Sequence, residues 1–250
     1  MVLPLFFSPT AAGLKAGDEY RLAGEEGKHA ATVKRLRVGE KLQLTDGVGV
    51  RILASVLANE GSALQLIVEN VVFERRPELG VTLVQALAKG DRDELAIQAA
   101  TELGATAVVP WQANRCVSKW EGPKIAKGVT RWQTIVTEAA KQSLRVWTPK
   151  VENPVSTSEL VLLVPKFDHF LVLDPTASTA FKSKLPLSGA VAIVVGPEGG
   201  IDSTELVTLE AAGAVRVHLG SGILRTSTAG LAAISSLMAF GGAWDMRGID

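Results

Sequence analysis

The hydrophobic pattern changes period once along the chain. Up to residue 73, apolar positions alternate with polar ones or run in short pieces: "EYRLAG", "KLQLTDG", "VRILASVLAN" and "ALQLIVENVVF". Such runs mark strands when turn residues separate them. Gly24, Gly39, Asp46-Gly47 and Asn59-Glu60-Gly61 do so here. Short strands with glycine turns predict a small β-barrel over residues 1–73. "EEGKHAATVKRLRVGE" interrupts them and predicts a short helix or turn carrying Lys28, His29, Lys34, Arg35 and Arg37. "FERRPELG", with Pro77 and Gly80, reads as a linker.

After Gly80 strands and helices alternate. "VTLVQALAK", "ATAVVPW", "HFLVLDP", "AVAIVVGPEGG" and "AVRVHLGSG" are apolar, strand-like runs. "DRDELAIQAATELG" predicts a helix with Asp91 near its start and Gly104 just past its end. In "VTRWQTIVTEAAKQSLR", Trp132, Ile135, Val136 and Ala139 fall at i, i+3, i+4 and i+7 of an amphipathic helix. Unbroken apolar strands between helices imply a parallel sheet covered on both faces. "TAGLAAISSLMAFGGAW" is apolar nearly all round and predicts a helix buried in the core or against another subunit. The expected fold class is therefore α/β, with a parallel-sheet domain over 74–250 after the barrel.

Composition permits this division. The chain has 250 residues, 47% of them hydrophobic, enough for two modest domains. Its zero formal charge hides an asymmetry. Residues 74–150 hold 12 Lys/Arg against 8 Asp/Glu, and residues 151–250 hold 6 against 10. A polyanionic partner is allowed but not demanded. Cys116 is the single cysteine, which excludes an intrachain disulfide and suits a reducing cytoplasm. No basic–apolar leader opens the sequence, and no apolar run reaches about 18 residues. A soluble cytoplasmic protein without a membrane partner is the expectation.

Ligands of parallel α/β sheets bind at the carboxyl ends of strands. Three candidate ends lie in the C-terminal part. They are Leu173-Asp174-Pro175, Gly196-Pro197-Glu198-Gly199-Gly200, and Leu219-Gly220-Ser221-Gly222-Ile223-Leu224. Glycine lets a ligand approach the backbone, although a tight turn alone would also use it. Known fingerprints are missing. There is no phosphate loop, and "GSGILR" places Arg225 where a dinucleotide loop needs glycine. His29, His169 and His218 are scattered, so no metal site is expected. No G-x-S-x-G elbow occurs.

"GPEGGIDSTEL" followed by "LGSGILRTSTAGLAAI" strongly resembles the SPOUT-class RNA methyltransferases, whose α/β domain carries a trefoil knot. More narrowly, the chain resembles the bacterial enzymes that methylate N3 of a uridine in 16S ribosomal RNA. "GKHAATVKRLRVGEKLQLTDGVG" is similar to their PUA-like N-terminal barrel. "ALAKGDRDELAIQAATELGATAVVPWQANRCV" and "RWQTIVTEAAKQSLR" are similar to their next two blocks. The resemblance implies methylation of the decoding-region uridine U1498. It implies S-adenosylmethionine as donor and an obligate homodimer with the RNA site built across subunits. It places the cofactor at Leu173, at Val195, Gly196, Pro197, Glu198, Gly199 and Gly200, and at Leu219, Gly220, Gly222, Ile223, Leu224, Thr226 and Ala229. One position departs: the family often has Glu where this chain has Ser227. The Ser227 hydroxyl is instead expected to N-cap the last helix.

The chemistry narrows the candidates. A sulfonium methyl is already activated, so no metal is required. Uracil N3 is a poor nucleophile until its proton leaves, so the site must accept that proton or stabilise the anion. Arg225 is a candidate for neutralising the anion, or it forms a plain salt bridge. Glu198 is a candidate base, or a capping partner at a helix start. Arg131, Glu138, Gln142 and Arg145 share one helical stripe, either a solvated face or a grip on phosphates and a flipped uridine. Arg145 joins Arg225 and Glu198 as a catalytic candidate. Lys28, Lys34, Arg35 and Arg37 are expected to bind RNA together with Arg131, Gln142 and Arg145. Glu102 is a lesser candidate on the preceding helix. Two rival classes stand beside this one: a knotted methyltransferase acting on another RNA, such as transfer RNA ribose, and a non-catalytic RNA-binding or assembly protein.

Overall fold

The computed structural model describes residues 2–185 and 188–244. They fall into two compact units, Met1–Arg76 with Ala140–Thr148, and Pro77–Ala139 with Pro149–Asp250.

The first unit holds β1 (Leu5–Phe7), β2 (Glu19–Leu22), α1 (Gly24–Lys28), β3 (Lys41–Thr45), β4 (Val50–Asn59) and β5 (Leu64–Phe73). The strands form one sheet in the order β1-β3-β4-β5-β2. It is a PUA-like half-barrel. Period-2 alternation turns Leu42, Leu44, Ile52, Ala54, Val56, Leu64, Leu66 and Val68 inward. The chain after α1 forms a π-helical turn, His29–Val33. Lys28, Lys34, Arg35 and Arg37 are all exposed around this turn. Arg35 has a positive φ of 55°, a conformation costly for a residue with a Cβ and of the kind enriched at functional positions.

Residues 140–148 belong to this unit, although the sequence pattern groups them with 74–250. The reason is the turn at Gly47 and Gly49, which looks in sequence like hairpin punctuation only. Thr148 N–H donates to the Gly47 carbonyl at 2.9 Å and Gly49 N–H to the Val146 carbonyl at 3.1 Å. Both glycines have positive φ, and a Cβ on Gly49 would stand 2.6 Å from the Trp147 ring. Arg51 adds a bond to the Leu144 carbonyl at 2.9 Å.

The second unit contains β6 (Leu79–Ala86), α2 (Arg92–Leu103), β7 (Ala107–Gln112), most of α3 (Pro123–Gln142), β8 (Lys150–Val151), β9 (Val155–Ser156), α4 (Thr157–Val161), β10 (His169–Leu173), β11 (Gly189–Val195), α5 (Ser203–Ala211), β12 (Val215–Val217) and α6 (Thr226–Phe240). Its sheet runs β12-β10-β11-β6-β7-β8, with β9 also paired to β7, and every described pairing is parallel. The apolar runs at β6, β10 and β11 are buried because helices cover them. Pro110 is tolerated in β7 because it lies between the β8 pairing at Val108 and the β9 pairing at Trp111. The domain is an α/β knot of SPOUT type.

Helix α6 is not buried all round. Thr226, Gly230, Ala233, Ile234, Leu237 and Met238 face the core against α2, β6 and β11, whereas Ala239 and Phe240 are exposed. Its N-cap is Arg225, with no side-chain cap, so Ser227 does not cap it. Ser227 is the second residue inside the helix, past the position from which a hydroxyl reaches the free N–H groups.

Candidate active site

Parallel register brings the strand ends level. Leu173 pairs with Val195 on one side and Val217 on the other. Val195 in turn pairs with Gln85 of β6. The loops after β10, β11 and β12 therefore leave the sheet at the same edge. There they surround a cavity of about 610 Å³.

Leu173, Val195, Val217, Ile223 and Leu224 give the cavity apolar walls, and Gly196, Pro197, Gly200 and Gly222 give it bare backbone. Leu219, Thr226 and Ala229 complete the sequence-predicted lining. Gly199 and Gly220, also predicted to hold the cofactor, do not line it. The Gly199 carbonyl accepts from Arg115 Nη1 at 3.1 Å, and Gly220, at φ +115°, donates its N–H to His218 Nδ1 at 3.1 Å.

The glycine loop after β11 has a definite exit. Asp202 and Glu205 form a reciprocal capping box that starts α5. The buried Glu205 also accepts from Asn114 N–H at 2.8 Å and from the Thr157 hydroxyl at 2.5 Å. "GPEGGIDSTEL" thus encodes a turn that frees backbone for a ligand, then a capped helix. The D-x-x-E spacing was the sequence signal for that helix start.

Glu198 lines the cavity but is already engaged. Its Oε1 accepts from Arg92 Nη1 at 2.8 Å and from Lys89 N–H at 3.1 Å. Burial raises its pKa, but its own N–H, Arg92 and Lys89 outweigh burial and hold it below the usual carboxylate range. That is a poor setting for a proton acceptor. Arg225 is exposed at the cavity and its guanidinium makes no hydrogen bond or ion pair among the described residues. It also stands at the uncapped start of α6, where the helix dipole favours negative charge.

Sequence reasoning missed Arg92, Arg115 and Thr176, and Asp174 stood only in a quoted strand end. All four line the cavity. Asp174 accepts from Arg216 Nε at 2.8 Å and from Thr176 N–H at 2.9 Å. Arg115 reaches Asp202 at 3.2 Å. These residues become neighbours only through strand order.

Other predicted positions lie elsewhere. Arg131 is committed to Glu94 through a bidentate pair, with Nη2–Oε2 at 2.7 Å. Helix α3 ends at Gln142, so Arg145 lies past it and the stripe predicted for Arg131, Glu138, Gln142 and Arg145 does not form. Gln142 is exposed, and burial lowers the Arg145 guanidinium to about 10, still cationic at neutral pH. Both belong to the first unit, as do Lys28, Lys34, Arg35 and Arg37. Glu102 is exposed and accepts from Gln98. Cys116 is buried, and desolvation pushes its thiol up to about 11, so it is a packing residue.

The cavity suits a nucleoside-sized ligand in volume and in its apolar, backbone-lined character. A Cβ added at Gly200 or Gly222 meets nothing within 4 Å, so open space lies beside both of these lining residues. A SPOUT-type knot with such a cavity, together with a PUA-like half-barrel, defines an RNA methyltransferase. The descriptions "RNA methyltransferase domain" and "RNA methyltransferase PUA domain" match residues 75–238 and 22–69. The chain is 41% identical to the ribosomal RNA small subunit methyltransferase E of Mycobacterium bovis, over all of this chain and 97% of that one. It is 34% identical to the Bacillus subtilis protein of the same name, over 93% and 94%. A crystal structure of the Neisseria gonorrhoeae protein of that name, bound to S-adenosylmethionine, superposes with a TM-score of 0.86 at 31% identity, covering 96% and 98%. The chain belongs to the ribosomal RNA small subunit methyltransferase E family, and its cofactor is S-adenosylmethionine.

Proposed function

We propose that the protein methylates N3 of a uridine in 16S ribosomal RNA, the decoding-region U1498. The observation that carries the site is the cavity bounded by three strand-end loops with an unpaired Arg225 at its edge. The backbone of Gly196, Gly200 and Gly222 and the apolar walls would hold S-adenosylmethionine, which would supply an activated methyl on sulfur. Arg225 supplies the positive charge that lowers the energy of the uracil anion once solvent at this exposed edge has taken the N3 proton. The uncapped α6 N-terminus adds partial positive charge on the same side. Glu198 holds Arg92 and the loop in place and stays ionised. Lys28, Lys34, Arg35 and Arg37 grip phosphates, while Gln142 and Arg145 contribute to RNA capture or orientation.

A homodimer completes this reading. It rests on the family resemblance and on exposed Ile223, Leu224, Phe240 and Trp244, large apolar groups a monomer would leave in water. Among the described residues, no helix is long and apolar enough to cross a membrane. We place the enzyme in the cytoplasm, with its ribosomal substrate. Nucleoside mass spectrometry of 16S ribosomal RNA from a deletion strain tests the function. Loss of 3-methyluridine at U1498 is expected; its persistence would refute the assignment.

A further inference from the structure

Gln85 is a polar residue in an apolar sheet. It is the seventh residue of β6, wholly buried, in register with Val195 of β11 and Pro110 of β7. Its Nε2 donates to Thr226 Oγ1 at 2.9 Å and to the Ala86 carbonyl at 3.2 Å. Its Oε1 is buried and has no hydrogen-bond partner among the described residues. A leucine would fill this place without that desolvation cost, so packing does not explain the carboxamide.

Its hydrogen bond explains it better. A threonine hydroxyl has one proton to give. Because Gln85 donates to that hydroxyl, the proton is directed elsewhere, and Thr226 Oγ1 donates to the Gly196 carbonyl at 2.9 Å. The three groups form a relay from amide to hydroxyl to carbonyl. Gly196 opens the loop after β11, and Thr226 opens α6 directly after the loop from β12. The relay therefore ties two cofactor walls to a third strand. One helical turn on, Gly230 holds the same helix close: a Cβ there would lie 2.9 Å from Leu83 and 3.1 Å from Val195.

We propose that Gln85, which does not line the cavity, is a positioning residue for methyl transfer. Acting through Thr226, it sets the separation of the Gly196 and Leu219–Leu224 loops and the placement of Arg225, one residue before Thr226. The inference rests on the reading of this cavity as the S-adenosylmethionine site.

The test titrates the full chain with S-adenosylmethionine by calorimetry and measures steady-state methylation. Every variant is held well below its unfolding midpoint, so that lost stability alone changes neither readout. Gln85→Leu and Thr226→Val should each weaken cofactor affinity about tenfold and lower kcat, while Thr226→Ser, which keeps the hydroxyl, should recover most of what Thr226→Val loses. The double variant Gln85→Leu/Thr226→Val should be no weaker than the weaker single, because both break one relay. Wild type that fails to bind S-adenosylmethionine would overturn the site itself. Wild type that binds, with Gln85→Leu unchanged, with Thr226→Ser as weak as Thr226→Val, or with additive singles, would overturn the relay alone. If Gln85→Leu does not fold, Gln85→Met, which also lacks the amide donor, takes its place in the same comparison.

Discussion

Glu198 and Arg225 border the same cavity, yet their surroundings assign them different work. Glu198 is bound by Arg92 and by backbone, whereas Arg225 has no partner among the described residues. Arg225→Ala should lower kcat about a hundredfold or more while cofactor affinity changes little, as for loss of one transition-state charge partner. Glu198→Gln should retain the wild-type pH–rate profile, although its ion pair is gone. A pH limb that vanishes in Glu198→Gln would make it the base after all. Gly222→Val is a steric test of the loop after β12, because Gly222 lines the cavity and its backbone is not in the left-handed region. The variant should fold and lose cofactor binding in calorimetry; unchanged affinity would remove this loop from the cofactor site. Asp174 carries a pH dependence. Burial raises its pKa, but Thr176 and Arg216 lower it further, so the folded value is depressed. The stability this provides is complete above the unfolded pKa, about 3.9, and is lost as pH falls through the lower folded value. Asp174→Asn should cost about 1.5–3 kcal/mol at pH 7. The gap between the melting curves and wild type should start to narrow below about pH 4 and keep shrinking as pH falls toward the folded value; a gap as wide at about pH 2 as at pH 7 would contradict this.

At the scale of elements, the strands with unbroken Val-Ile-Leu runs were legible in sequence. So was α3, whose Trp132, Val136 and Ala139 are buried as spaced and Ile135 partly so. β1, β8 and β9 were not: two or three residues carry no period, and pairing alone defines them. The three glycine loops were visible because glycine is locally informative. Arg92, Arg115, Asp174 and Thr176 were less so, since register and strand order bring them together. The apolar composition of α6 left core and subunit interface both open, and Leu237 is wholly buried within its own chain. Leu237→Glu should therefore unfold the subunit, by about 4 kcal/mol or more, and is a poor probe of dimerisation. Circular dichroism melts check this; a folded monomer would place Leu237 at the interface instead. The basic turn around Arg35 belongs to this scale too. Changing Lys34, Arg35 and Arg37 together to Ala should weaken RNA binding and flatten its salt dependence, with cofactor affinity unmoved. Equal salt slopes in filter binding would assign the turn to solubility.

For the whole molecule, the central claim is the division of labour we propose: a backbone-lined cavity at the carboxyl edge of a parallel sheet holds the methyl donor, and the basic turn around Arg35 grips the RNA. The knot could not be read from periodicity, since it depends on threading and no local pattern encodes threading. The family motifs carried it. The most direct measurement combines purified protein, S-adenosylmethionine and small subunits from a strain lacking the modification, then maps the product by nucleoside mass spectrometry. The account predicts 3-methyluridine at a single 16S position with wild type and strongly reduced product with Arg225→Ala. Methyl groups on ribose, or none at all with wild type, would contradict it.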